Sequence, residues 1–282
     1  MAIRKFLLLL IALITSDAMG WGQNSAAMYP ARDAQGFVRE VVSVELQAAA
    51  HSQPRWMYLL HKTNASGSKL TQIVETHQGL VGHLLEIDGQ PLDAITERNE
   101  AHRLAELKRD PRQWKRKLAR QERDRQRVMN IVRALPNAFV YSFAGFESGP
   151  FGKEARLDFR PNPHYSPDSL DTSILQSMSG ALLIARQQRR LVRMQGVLGA
   201  NVSIGLGIIG KLQKGGTLEL RQSQIAPGSW QITKLSIAMT GRAVLRHIDV
   251  SVDESATEFQ PVSSNLTVGE AIDLLLSQPR PH

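Results

Sequence analysis

Residues 201–220, NVSIGLGIIGKLQKGGTLEL, are the stretch on which the fold turns. Gly205-x-Gly207-x-x-Gly210 spells the glycine fingerprint of a dinucleotide site. That fingerprint needs a strand before it and a helix opening on it, so that backbone N–H groups and the helix dipole face a pyrophosphate. It also needs an acidic residue about 20 positions on for the ribose. Here only KLQK separates Gly210 from the helix-stopping pair Gly215-Gly216, while Glu219 comes too early and Asp249 too late. Residues 217–253 then read as three alternating runs with turn signals at Pro227-Gly228-Ser229 and Thr240-Gly241. An antiparallel meander is expected, with the glycines at 196, 199, 205, 207 and 210 marking bends, bulges or close backbone approach in a curved sheet.

The pattern extends toward the N-terminus. Residues 31–50 space Phe37, Val41, Val44 and Ala48 at helical intervals. Runs at 55–63, 69–77 and 80–88 alternate as strands, separated by NASGS and by Gln78-Gly79, with Asp88-Gly89 closing the third. The period then changes. Residues 93–109 and 111–135 read as two helices, the second entered through Asp110-Pro111 and stopped by Pro136. Strand character returns at 138–146 and 153–161; the proline-rich RPNPHYSPDS reads as an exposed crossover. GALLIAR and RLVRMQGVLG follow as a hairpin across Gln187-Gln188, and residues 267–277 close the chain as a helix capped by Thr267 and Glu270. The sum is an α+β chain with about nine or ten antiparallel strands in one sheet. Several strands are apolar on both faces, such as Trp56, Tyr58 and Leu60 against Met57 and Leu59, so cover is needed on both sides.

The start of the chain carries Arg4 and Lys5, an apolar run from Phe6 to Ile14, and small residues at Ala18 and Gly20. This is the design of a secretory signal peptide, with cleavage expected near Gly20 and a periplasmic or secreted product of one domain over 21–282. No cysteine is present, which removes disulfides, thiolate metal sites and a lipidated cysteine together. No later apolar run approaches the roughly 18 residues of a membrane span. The net charge of +8 is concentrated: residues 97–133 hold 13 Lys/Arg against 6 Asp/Glu. A field confined to one element argues against nucleic acid as a partner.

In this layout the chain resembles the outer-membrane lipoprotein-carrier superfamily (LolA-like proteins). The residues that carry the likeness are LLEIDGQPL, the charged insertion at about 91–135, MSGALLIARQQRRLVRMQGVLG and GSWQITKLSIAMTGRAVLR. The resemblance spans about residues 34–275 and lies in the order of parts. It implies an incomplete β-barrel, strongly curved, whose concave side is covered by helices and shelters acyl chains, with no enzymatic activity and no cofactor.

Candidate site residues follow from the two readings. Trp56, Tyr58, Leu84, Phe143, Met178, Leu183, Met194 and Trp230 are candidates to line a cavity for lipid or lipoprotein acyl groups, and equally to fill a core. Arg112, Lys115, Arg116, Arg120, Arg123 and Arg127 are candidates to rest on an anionic membrane surface or an acidic partner; the bland alternative is a solvated, ion-paired helix face. A hydrolase is the third reading, but no G-x-S-x-G elbow occurs and SMSG at 177–180 lacks the flanking glycine geometry. The histidines stand singly, with His61, His77 and His83 the nearest approach to a metal set, and no metal is expected.

Overall fold

A computed structural model describes residues 30–50, 54–204, 210–243 and 246–278. The expected signal peptide and the fingerprint positions Gly205 and Gly207 lie outside these residues. The helices are α1 (Ala34–Ala50), α2 (Ala94–Arg109), α3 (Pro111–Ala138), α4 (Leu170–Leu175) and α5 (Val268–Ser277). The strands are β1 (Arg55–Asn64), β2 (Gly67–Thr76), β3 (Gly79–Ile87), β4 (Gln90–Pro91), β5 (Phe139–Gly149), β6 (Gly152–Pro161), β7 (Met178–Ala185), β8 (Arg190–Leu198), β9 (Val202–Ile204), β10 (Gly210–Leu212), β11 (Thr217–Ala226), β12 (Ser229–Ala243) and β13 (Arg246–Val262). The chain is thus α+β, and its strands pair antiparallel into an open sheet. The count of 13 exceeds the expected nine or ten by β4, β9 and β10, which are two or three residues long. Pieces that short have no readable alternation; backbone pairing alone defines them.

The structure divides into two compact units. One comprises Met1–His51 and Arg127–Val252, the other Ser52–Gln126 and Asp253–His282, so the division falls inside α3 and inside β13. In the first, the strands run in the order β13, β12, β11, β8, β7, β6, β5, with β10 joining β12 to β9. Gly210 therefore opens a strand and not a helix, which removes the dinucleotide reading. Thr240-Gly241 is also not a turn: β12 runs through it, and Gly241 pairs with Leu212. A methyl at Gly241 would stand 2.5 Å from the Lys211 carbonyl oxygen, so that glycine makes room for a neighbouring strand.

One face of this unit is its core. Leu157, Leu182, Met194, Leu220 and Leu235 form a single cross-strand row, all buried, and α1 packs against β5 and β8. Register shifts that leave an extra residue at Ala144 in β5, Val192 in β8 and Thr233 in β12 are the bulges that bend such a sheet. Pro136 does not stop α3, which continues to Ala138. The proline sits in the last turn, where the carbonyls of Leu135 and Pro136 take hydrogen bonds from the Tyr141 hydroxyl and the Gln35 amide. The proline-rich crossover leads into the short helix α4, capped by Ser169 and Thr172. Arg190 and Glu45 form a buried ion pair at 2.9 Å, with the Arg190 guanidinium over the Trp230 ring.

In the second unit the order is β4, β3, β2, β1, β13. The Asp88-Gly89 turn joins Ile87 to Gln90 with φ of 52° and 72°, the paired positive values that an Asp-Gly hairpin supplies. Helices α2 and α5 pack on β3, with Met57, Val74, Val81, Leu104, Leu107, Trp114 and Ile272 in one buried cluster. Asp93, Asp110 and Thr267 start their helices as the sequence requires.

Candidate functional site

Strands β6, β7, β8, β11 and β12 alternate, and the face opposite the leucine row is polar. Register aligns Asp158, Ala181, Gln195, Glu219 and Ser236 in one row across five strands. The next row on that face is Arg156, Leu183, Arg193, Arg221 and Lys234. Between and beside these rows the face is hollowed into a concavity of about 570 Å³, lined by Arg156, Asp158, Gly180, Ala181, Gln195, Gly196, Val197, Thr217, Leu218, Glu219 and Ser236. Ligand sites commonly span roughly 300–1,000 Å³.

The floor is sheet backbone, with the small side chain of Ala181 on the open face and the positions of Gly180 and Gly196 turned to the core. Gly180 faces Gly196 across β7 and β8, and Ala181 stands beside them. A methyl on Gly196 would meet Met178 Cε at 2.7 Å and Phe159 Cζ at 3.4 Å, so side chains already fill the space on the core side. Val197 is 48% exposed, an apolar side chain left in the open beside a polar row. The rim is charged and internally paired. Arg156 bridges Glu147 at 2.9 Å and Asp158 at 3.2 Å, and Arg221 binds Glu219 at 2.5 Å. Partial burial pushes the Glu219 carboxyl upward, but Arg221, Gln195 and Arg193 outweigh it and hold the group below its usual range. This arrangement offers a trough in which Gly180, Ala181, Gly196 and Val197 lie among polar side chains. Ser177, the serine of SMSG, lies outside the concavity and donates its hydroxyl to the Ser173 carbonyl. Among the described residues no group of three or more His, Cys, Asp or Glu is placed to hold a metal.

The eight cavity candidates lie elsewhere. Trp56 and Tyr58 are buried in the second unit against Phe259, edge-on at 6.5 Å and stacked at 5.0 Å. Leu84 is half-buried in β3, its N–H bound to Glu100. In the first unit Phe143 and Met194 share the leucine row, Met178 lies fully buried beneath Gly196, and Trp230 packs on Phe151 at 4.5 Å. Leu183 is on the polar face between Arg156 and Arg193. None of the eight lines the concavity. Of the residues that do line it, Arg156, Asp158, Gln195 and Glu219 were visible as polar positions of alternating strands, but alternation does not reveal which strands stand side by side.

The cationic candidates separate. Arg112, Lys115, Arg116, Arg120 and Arg123 are exposed on α3 in the second unit. Arg127 is bound to Asp171 in the first unit, with Nη2 at 2.7 Å from Oδ1, and so is not part of that surface. No family model matches the chain, and no curated protein or solved structure matches it either.

Proposed function

We propose that this is an exported, non-enzymatic binding protein that shields the apolar part of an amphiphile, a lipid or the acyl group of a lipoprotein. The observation that carries the reading is the hollowed face of the β6–β7–β8–β11–β12 sheet, with its glycine-and-alanine floor and paired charged rim. The Gly180, Ala181 and Gly196 backbone lets a chain lie close to the sheet, where each buried methylene contributes about 0.8 kcal/mol. The rim charges, already neutralised by one another, hold a polar head without demanding a fixed sign. The resemblance to lipoprotein carriers points to the same ligand class.

The test is titration of the mature protein with a fluorescent fatty acid, together with mass spectrometry of lipid extracted from protein purified out of cells. Saturable binding at one site is expected. Ala181→Trp, which fills the trough from the open face, is expected to weaken the probe at least about tenfold, a decade being about 1.4 kcal/mol. A wild type that takes up no probe, or an Ala181→Trp variant that binds as well as wild type, overturns the reading.

A further inference from the structure

We infer that α3 is a docking surface for an anionic lipid bilayer. Arg112, Lys115, Arg116, Arg120 and Arg123 follow one another at steps of three, one, four and three. At 100° per residue they fall within an arc of roughly 140°. The remaining stripe position is Ala119, and no acid lies within the arc. All five side chains are exposed, and among the described residues none takes part in an ion pair. The contrast with neighbouring cations is the informative part. Arg103 pairs with Glu100, Lys108 with Asp273 and Arg125 with Glu122. Glu100, Asp273 and Glu122 are thus committed to other cations, and the stripe is left facing water.

The helix holds the stripe rigidly. Trp114 is buried on its opposite side, and Gln121 receives the Leu80 N–H and donates to the Leu80 carbonyl, both at 3.0 Å, in the manner of a paired strand. A linear set of unpaired point charges fits a lattice of anionic headgroups, which rearranges laterally to meet them. The stripe has no aromatic side chain on which bases would stack and no apolar anchor of the kind that centres a protein interface. The expected export of the chain also places it beside membranes.

The experiment is co-sedimentation of the full mature chain with phosphatidylcholine vesicles, with and without phosphatidylglycerol. Binding is expected only with phosphatidylglycerol, and is expected to vanish near 1 M salt, where the screening length falls to about 3 Å. Each cation removed is expected to lower partition about fivefold, so Arg116→Gln with Arg120→Gln and Arg123→Gln costs on the order of a hundredfold. Replacing the same three with Lys preserves binding, because headgroups read charge and not the bidentate guanidinium. Thermal melts of the variants confirm that the fold is intact, as expected for exposed positions. Binding that persists in the triple Gln variant, in high salt or on neutral vesicles overturns the inference. So does retention on a polyanion such as heparin with no retention on vesicles. Ala181→Trp leaves vesicle binding unchanged, which separates this surface from the trough.

Discussion

Glu75 shows how single residues set the protein's response to pH. It is buried at the end of β2, accepts the Trp56 N–H, and desolvation raises its carboxyl from 4.5 to about 7. The Tyr58 hydroxyl nearby is also raised, by burial first and then by Glu75 and Glu254. The folded state thus holds the Glu75 proton more tightly than the unfolded chain. This group's stabilising contribution is full below about pH 4.5 and is lost as pH rises through about 7. Glu75→Gln is expected to flatten that decline, removing on the order of 3 kcal/mol of pH dependence. Urea melts of both proteins across that range check it. The Arg190–Glu45 pair makes a second residue-level prediction. Arg190→Met leaves the buried Glu45 carboxylate without its cation and is expected to cost about 3–5 kcal/mol, much of it recovered in the Glu45→Met, Arg190→Met double variant.

At the scale of elements, caps and turns were legible because they are local. Asp93, Asp110-Pro111, Asp88-Gly89 and the Thr267–Glu270 box all sit where residue chemistry puts them. Two local readings failed where a distant partner intervened. Pro136 ends no helix because Gln35 and Tyr141 donate to the last-turn carbonyls, and Thr240-Gly241 makes no turn because β10 lies against it. Gly241→Ala drives a methyl into the Lys211 carbonyl, and backbone on both sides prevents relief. A loss of about 1–3 kcal/mol in denaturant melts is expected.

For the whole molecule, the proposed trough makes ligand occupancy a stability term. A ligand that binds only the folded state, at a hundred times its Kd, adds about 2.7 kcal/mol. Protein stripped of lipid is expected to melt lower than protein as purified, and a fatty acid is expected to restore the difference. Ala181→Trp is expected to show no such shift, and calorimetry of the four samples checks both points. The charge surplus acts on another part of the chain, since the five exposed cations of α3 lie within residues 112–123 and the trough within residues 156–236.

By itself the sequence determined the α+β class, the antiparallel character of the longer strands, the starts of α2, α3 and α5 and the amphipathic stripe of α3. Each of these depends on residues a few positions apart, where periodicity, capping and turn chemistry act. Only the tertiary structure decided which face carries the site. Leu157 and Arg156, or Met194 and Arg193, alternate just as visibly in the sequence, but the trough exists because five strands from residues 152–243 align their polar positions side by side. It likewise decided that Arg127 finds Asp171 while Arg116, Arg120 and Arg123 find no acid, because ion pairing depends on distance in space and not along the chain.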